Sequence, residues 1–400
     1  MFIDSYQKAL ACLEEEKIIN LTSKLISIPS YQGLEVPEKE ISAYLYQYLL
    51  DEGLKAQHVP VTGERNNVLA WHGAASNNQK TLMLEGHMDT VGVNNMVVDP
   101  FSGKVVNGYI YGRGAVDMKG ALAAMIGAIC AVKEAAITLE GQVYFAGVID
   151  EERNYRGADF ITRNGPITRY AIVGEPTELE IHNGHRGLIW IEIKVKGKYA
   201  HGGTPEKGIN AIEKVSAIIE EITTRLKPQV MKKSHPITGP SHLNLGLIRG
   251  GTQPSTVAGE CILQMDRRWI PDESQEEAVQ EIEDIIEHLK EKDPELDAEV
   301  TVIDDNMDIQ FPPLVCAESS PLVTILKEAS GKVINRHKTS YFPAWTDGSI
   351  LSRDGGIETV VLGPGHISSA HSEEEYCPVE EIINACKIYI YSIIKICGKD

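Results

Sequence analysis

The chain has few of the features from which disulfide-rich, secreted or membrane-spanning proteins are built. Its seven cysteines are scattered over 400 residues without a CxxC spacing. An odd, scattered set indicates reduced thiols rather than a disulfide framework. No apolar run approaches the roughly 20 residues of a membrane span, and the N-terminus is acidic where a signal peptide is basic. We therefore expect a cytoplasmic protein that does not enter a membrane.

Positive charge is also scarce. The sequence has 38 Lys and Arg against 57 Asp and Glu, a formal net charge of −19. This balance argues against binding to nucleic acid or to an anionic membrane surface. The apolar fraction of 42% is ample for a packed core, and the length suits two or three structural units.

The two ends of the chain carry the pattern of an α/β protein. Near-continuous apolar runs predict strands that alternate with helices such as 38–52 and 119–135, and the strands lie at 81–85, 142–149, 170–174 and 358–362. Such runs favour a mostly parallel sheet with helices on both faces.

The middle of the chain has a different order of elements. Residues 188–304 read as strand, helix, two strands, helix and strand, the ferredoxin-like β-α-β-β-α-β arrangement. We therefore predict a larger domain of residues 1–186 and 309–400, interrupted by an α+β domain of residues 187–308.

Potential metal ligands follow the apolar runs of the larger domain: His87, Asp117, Glu152, Glu175 and His371. Ligands of parallel sheets bind beyond the carboxyl ends of the strands. Two imidazoles and three carboxylates suit a pair of zinc-type ions, and the short side chain of Asp117 suits a bridge between them. His366 is the alternative to His371.

Two further carboxylates accompany these ligands. Glu151 has no evident ligand role, so we expect it to be the base that two-metal hydrolases need. Nearby cations would lower its pKa and burial would raise it. Asp89 stands two residues after His87, where its carboxylate could hold the second ring nitrogen.

Six stretches together resemble the family of acetylornithine deacetylase, succinyl-diaminopimelate desuccinylase, aminoacylase and glutamate carboxypeptidase: GHMDTV, GRGAVDMKG, DEE, GEPT, AHGGTPEKGINAI and AHSEEE. They cover essentially the full length. The resemblance implies a zinc-peptidase-like fold whose inserted domain is a lid and dimerisation domain. It also implies two Zn²⁺ per subunit, with Co²⁺ or Mn²⁺ as possible substitutes, and a cis peptide at Asp117–Met118.

The resemblance also assigns roles to the metal-site residues. One zinc would have His87 and Glu175, the other Glu152 and His371, with Asp117 bridging. Glu151 would take a proton from a water that bridges the metals and pass it to the leaving amine.

Three positions in the inserted domain gain roles in the same way. His201 would reach the partner subunit's site and stabilise the oxyanion, and Arg268 would bind the substrate carboxylate. Arg268 could instead form a surface ion pair, because the neighbouring Arg267 could equally hold that register. Ser255 stands where the family often has a substrate-binding asparagine, and serine offers one donor rather than two.

We therefore expect a two-zinc amidohydrolase that cleaves the amide bond of an N-acyl amino acid and forms a homodimer through the lid. A di- or tripeptidase or a carboxypeptidase, acting on short peptides, is the alternative within the family. A non-catalytic ligand-binding homologue is the alternative of another class, and the intact set of Glu151 and five ligands argues against it.

Overall fold

The computed structural model describes residues 2–75, 77–303 and 311–399. The chain divides into two compact units, the first of Met1–Gly184, Leu314–Phe342 and Thr346–Asp400, the second of His185–Pro313 and Pro343–Trp345. The first junction falls two residues before the predicted one, and the predicted boundary at 308/309 lies outside the described residues. Pro343–Trp345 joins the second unit because the Trp345 indole donates to the Pro312 carbonyl at 2.9 Å and packs against Phe311.

The elements of the first stretch are α1 (Phe2–Ala11), α2 (Glu15–Ser27), α3 (Lys39–Asp51), β1 (Lys55–Thr62), β2 (Arg65–Gly73), β3 (Leu82–His87), β4 (Val105–Val106), β5 (Tyr109–Tyr111), α4 (Gly120–Glu134), β6 (Gln142–Val148), α5 (Arg156–Asn164), β7 (Tyr170–Val173) and β8 (Ile181–His185). Those of the middle stretch are β9 (Gly187–Lys196), α6 (Ala211–Glu221), α7 (Lys227–Val230), β10 (Ser234–His235), β11 (Gly239–Pro240), β12 (His242–Gly250), β13 (Glu260–Trp269), α8 (Gln275–Lys292) and β14 (Asp297–Val302). The last stretch has β15 (Leu314–Val315), α9 (Pro321–Ile334), β16 (Thr339–Phe342), α10 (Gly348–Arg353), β17 (Glu358–Val361), β18 (Tyr376–Pro378) and α11 (Val379–Cys397).

The first unit is built on a nine-stranded sheet of order β1-β2-β6-β3-β7-β17-β8-β15, with β16 paired to β8. Its central strands β6, β3, β7 and β17 run parallel, whereas β1, β2 and β8 run antiparallel to their neighbours. Alternate residues of β3 enter different cores, Leu82 and Leu84 on one face and Met83 on the other. The α/β class with a mostly parallel sheet and helices on both faces is therefore confirmed.

Helix α4 lies in the larger core of this unit. The stretch Ala115–Glu134, with a mean hydropathy of 1.7, is long and apolar enough to cross a membrane, contrary to the prediction that no apolar run reaches that length. In its apolar 18-residue window, 89% of the residues are buried within the protein, because α2 and α11 pack against it. At Gly127 a Cβ would lie 2.7 Å from the Ile18 side chain, so glycine permits this close helix contact. Its apolar character is that of a core helix.

The second unit has an antiparallel sheet of order β12-β13-β9-β14. Helices α6 and α8 pack on one face, around a core that includes Ile191, Ile193 and Leu263. In chain order its principal elements are β9, α6, β12, β13, α8 and β14, the arrangement predicted for the inserted segment. The exposed side chains of this unit include Trp190 and Ile248.

Strand β13 separates the two neighbouring arginines by its alternation. Arg267 is fully buried beneath the helices, where it pairs with Glu273 and with Glu281 at 3.1 Å. Arg268 points to the other side and binds Asp266 through Nε at 2.8 Å, with 23% of its side chain exposed. Arg267 therefore stabilises the unit, and Arg268 is the more accessible guanidinium.

Glu273 should make the stability of the second unit depend on acid. Burial raises its pKa, but hydrogen bonds from Lys233 and Ser241 outweigh burial and lower it from 4.5 to about 2. The stabilisation is thus present above pH 4.5 and is lost as the pH falls towards 2. We expect Glu273→Gln to reduce the free energy of unfolding by about 3 kcal/mol at pH 7.

The measurement is urea unfolding of both proteins between pH 7 and pH 2.5, and the difference between them should shrink in acid. Glu299→Gln, which removes an exposed pair with Lys196, is the control and should change stability little. A difference that stays constant with pH would contradict this account.

Candidate active site

Strand β3 ends at His87, whose side chain is buried at the carboxyl end of the sheet. Its Nδ1 lies 2.9 Å from the main-chain carbonyl of Asp89, so Nδ1 carries a proton there. Nε2 faces Asp117 Oδ1 at 2.9 Å and Glu175 Oε1 at 3.6 Å. The imidazole is thereby oriented with Nε2 towards two carboxylates, the arrangement of a metal-binding histidine.

Asp117 stands between two imidazoles. Its Oδ1 faces His87 Nε2 at 2.9 Å, and its Oδ2 faces His371 Nε2 at 3.2 Å. The peptide Asp117–Met118 is cis, as expected. Glu375 Oε1 accepts the main-chain N–H groups of Val116 and Asp117 at 3.1 and 3.2 Å, which holds this turn in place. Each oxygen of Asp117 therefore serves a different side of the site.

His371 and Glu152 form the outer side. His371 Nε2 lies 3.3 Å from Glu152 Oε2, and Glu152 Oε1 also accepts the Val91 N–H at 3.2 Å. His371 is 54% exposed, in contrast to His87. The alternative ligand His366 lies instead against Glu178, at 3.7 Å.

Glu151 joins the inner side. One ligand atom each from Glu151, His87 and Glu175 lie within 4.8 Å of one another, as do those of His87, Asp117 and Glu152. Burial raises the pKa of Glu151 well above its usual range; His87 opposes this effect and Glu175 adds to it. The structure thus brings Glu151 and all five predicted ligands into one cluster.

Asp89 contributes differently from the expectation. The partner of His87 Nδ1 is the Asp89 carbonyl, while the carboxylate Oδ1 lies 3.9 Å away. The carboxylate accepts the N–H groups of Glu151 and Glu152 at 3.1 and 3.2 Å and the Gln32 amide at 2.9 Å. Asp89 therefore orients His87 through its main chain and the loop of Glu151 through its side chain.

Two buried carboxyl groups were missed by sequence reasoning. Glu85 precedes His87 by two residues in β3 and shares its face of the sheet. Burial raises the pKa of Glu85 to about 8, while His87 and a hydrogen bond with Asp347 oppose the shift. Burial also raises the pKa of Asp347. For Glu85, the signal in the sequence was a charged residue within an otherwise apolar strand.

The predicted lid residues lie in the second unit. His201 is exposed, and its Nδ1 accepts the Gly203 N–H at 3.0 Å, so the neutral ring carries its proton on Nε2. Ser255 is exposed beside it, and its carbonyl accepts the Gly202 N–H at 2.7 Å. The junction residue Arg186 is buried and donates to the carbonyls of Pro240 and Pro343, which suits a structural role.

The cluster fits divalent cations. Imidazole nitrogens and carboxylate oxygens are the ligands of zinc in hydrolases. The two oxygens of Asp117 point to different imidazoles, as a carboxylate shared by two ions does. So many carboxylates in one buried place also need positive charge to remain ionised.

The chain is similar over most of its length to proteins of one known family. Residues 83–395 match the peptidase family M20/M25/M40. The chain is 30% identical to the N-formyl-4-amino-5-aminomethyl-2-methylpyrimidine deformylase of Bacillus subtilis, covering 96% of each protein. It is 28% identical to the acetylornithine deacetylase of Myxococcus xanthus, covering 99% of each. The crystal structure of a Staphylococcus aureus tripeptidase superposes with a TM-score of 0.79 at 26% identity, covering 96% of this chain and 98% of that one.

Glu85 should make the metal-free protein less stable in base. The folded protein retains the Glu85 proton up to about pH 8, whereas the unfolded chain releases it near pH 4.5. Stability from this group is therefore full below pH 4.5 and is lost as the pH rises through 8. Glutamine is neutral throughout, so Glu85→Gln should melt at a higher temperature than the parent at pH 8 and close to it at pH 4.5.

Melting curves in the presence of a chelator measure this difference. Glu374→Gln, at an exposed carboxylate, is the matched control and should follow the parent at each pH. Parallel pH profiles of the Glu85→Gln variant and the parent would show that Glu85 is not held neutral.

Proposed function

The chain belongs to peptidase family M20/M25/M40, and we propose that within this family of hydrolases it is a two-zinc amidohydrolase that removes a small acyl group from the amino group of an amino acid. The observation that carries the proposal is Asp117 placed between His87 and His371 with Glu151 beside them. A binding protein would not need a spare, half-buried carboxylate next to a two-metal ligand set.

The ligand set divides into two halves: His87 and Glu175 would hold one ion, Glu152 and His371 the other, and Asp117 both. Bound zinc, or Co²⁺ or Mn²⁺ in its place, would polarise the scissile carbonyl and lower the pKa of the attacking water. The protein's part is to hold the donors in place, through the Asp89 carbonyl on His87 and the Glu375 carboxylate on the Asp117 turn.

Glu151 would be the general base. Its main chain is held by Asp89, and its side chain lies among the ligands. Burial raises its pKa, and the charge of bound cations would oppose that shift. Glu151 would take a proton from the attacking water and deliver it to the nitrogen of the leaving amine, which departs as the free amino acid.

The second unit would supply groups that bind the substrate. The Nε2–H of His201 is a suitable donor for the oxyanion, and Arg268 has the planar fork that binds a carboxylate. Arg268 would have to exchange its contact with Asp266 for the substrate. Ser255 lies beside His201 and would offer one hydroxyl.

A homodimer through the second unit would complete the site. Strand β12 is an edge of its sheet, with Ile248 among its exposed residues. An edge strand pairs readily with a second copy, and a two-fold axis would make the two sites equivalent. In such a dimer, His201 would act on the substrate of the partner subunit.

We also propose a cytoplasmic location, which suits the seven cysteines, all described and none in a disulfide.

The relatives bear on the leaving acyl group. The deformylase and the acetylornithine deacetylase both release a small acyl group, as their names state. This supports a deacylase over a peptidase, and a formylated aminomethylpyrimidine is a substrate to include. The tripeptidase of similar fold supports the second candidate, a di- or tripeptidase.

Glu151 and the substrate class can be tested together. With Zn²⁺ or Co²⁺ added, we expect faster hydrolysis of N-formyl, N-acetyl or N-succinyl amino acids than of di- and tripeptides. Preferred hydrolysis of the formylated pyrimidine would show that a small acyl group is removed, but not from an amino acid. Glu151→Gln should lower kcat about 10³-fold, because the base is lost, yet retain two metal ions by elemental analysis. Glu134→Gln, at an exposed residue paired with Lys133, is the control. Faster cleavage of peptides would identify a peptidase instead.

Action of His201 across subunits can be tested by mixing. His201→Ala should lower kcat about 10²–10³-fold without loss of metal. Mixing this variant with Glu151→Ala should restore part of the activity, because one site of each mixed dimer has both groups. No recovery, in chains shown by mass spectrometry to exchange, would rule out the role in trans.

A further inference from the structure

The loop from Ile149 to Gly157, which carries Glu151 and Glu152, is closed at its base by one side chain of β2. Asn67 is fully buried; its Oδ1 accepts the Ile149 N–H at 3.1 Å and its Nδ2 donates to the Gly157 carbonyl at 2.9 Å. Gly157 N–H in turn donates to the Ile149 carbonyl at 3.1 Å. A Cβ at Gly157 would lie 2.5 Å from the Ile149 nitrogen, so the closure requires glycine there.

A second side chain of β2 holds the residue that precedes Glu151. The Arg65 guanidinium forks onto Glu38, with Nε 2.7 Å from Oε2, and its Nη2 lies 2.9 Å from Asp150 Oδ1. Glu38 Oε1 accepts the Asp150 N–H at 3.1 Å. Asp150 has a left-handed backbone, with φ of +68°, so these contacts stabilise a conformation that aspartate seldom adopts.

Arg65 supplies the positive charge that two buried carboxylates at the base of this loop need. The Glu38 and Asp150 side chains are both fully buried, and Arg65 is the cation that pairs with both. Burial opposes the charge of Arg65, but the hydrogen bond and the charge of Glu38 outweigh it and raise the pKa of the guanidinium. Removing Arg65 would leave the buried Glu38 without its cation and Asp150 with the partly exposed Arg156 alone, whose Nε lies 3.5 Å from Asp150 Oδ2.

Arg65 and Asn67 are two residues apart in β2 and therefore share one face of the sheet. Because β2 is the direct neighbour of β6, this face lies against the loop that follows β6. Asp89 holds the main chain of Glu151 and Glu152 independently. The loop is thus held twice, once by Asp89 within the metal-ligand cluster and once by β2.

We propose that Arg65, together with Asn67, is a positioning residue for the general base Glu151 and for the metal ligand Glu152. The proposal rests on the function proposed above for Glu151 and Glu152. Arg65 touches neither the reacting atoms nor a metal ligand side chain in the described contacts, so it acts through Asp150. A displacement of about 1 Å in a catalytic group can cost about 10²-fold in rate.

The test compares Arg65→Met and Arg65→Lys with Lys39→Met. Lys39 and Glu64 flank Glu38 and Arg65 and form an exposed pair at 2.9 Å, so Lys39→Met removes a neighbouring ion pair that does not reach the loop. Arg65→Met should lower kcat about 10²-fold at saturating Zn²⁺ and leave KM within about twofold. Arg65→Lys should recover part of the loss, because it restores the charge but not the fork.

Two readouts do not depend on activity. In the metal-free protein, Arg65→Met should increase hydrogen exchange of the amides of residues 150–155, while the cores of both units remain protected. In a Co²⁺ titration followed by absorbance, binding of one of the two ions should weaken, because only Glu152 of the five ligands lies on this loop. Lys39→Met should match the parent in both measurements.

The kinetic and exchange measurements together test whether Arg65 positions the loop. Unchanged exchange in the loop and unchanged kcat in Arg65→Met would overturn the proposal, as would an increase in exchange spread evenly over the protein. Should Arg65→Met fail to fold, Arg65→Lys carries the same test, and parental kcat and loop exchange in that variant would overturn the need for the fork. Should the parent hydrolyse no amide, the proposed function fails, while exchange and Co²⁺ binding still decide whether Arg65 holds the loop.

Discussion

The crowding of carboxylates at one end of the parallel sheet is the constraint on which the rest of the structure depends. Seven acidic side chains meet at or near His87: Glu85, Asp89, Asp117, Glu151, Glu152, Glu175 and Asp347. In the metal-free protein, burial raises the pKa of five of them, among which Glu175 is a predicted ligand, whereas hydrogen bonds with His371 and His87 outweigh burial and lower the pKa of Asp117. Divalent cations would stabilise the ionised carboxylates of such a cluster. The negative charge of the sequence is therefore in part a property of the site.

Arginine side chains pair with buried carboxylates that surround the predicted metal-ligand cluster. Arg65 pairs with Glu38 and Asp150, and Arg113 pairs with the buried Glu375. Several of these carboxylates then bind main chain rather than substrate. Glu375 accepts main-chain N–H groups of the Asp117 turn, and Glu38 accepts the N–H of Asp150. Asp89 accepts the N–H groups of Glu151 and Glu152. Charge-assisted bonds of this kind are strong, and here they hold the Asp117 turn and the loop of Glu151.

The strands that deliver the site were predictable because burial on both faces leaves a near-continuous apolar run. Residues 142–149 and 170–174 show this, and β6 and β7 occupy these positions. The hydrogen-bond partner of His87 Nδ1 was harder to predict. Sequence spacing placed Asp89 nearby, but the choice between its carbonyl and its carboxylate depends on backbone direction after β3. Glu85 and Asp347 come from distant parts of the chain, and their pKa values are raised mainly because the fold buries both carboxyl groups.

By itself, the sequence determined the α/β class, the interruption by a second unit and the residues that can bind metal, because hydrophobic period and ligand chemistry are local properties. Tertiary structure decided which oxygen of Asp117 faces which imidazole, which of Arg267 and Arg268 is buried, and that Ala115–Glu134 is a core helix. It also decided that Arg65 reaches the loop of Glu151 through Asp150. These outcomes depend on which elements become neighbours, and contacts between residues far apart in the chain leave no pattern within any one segment.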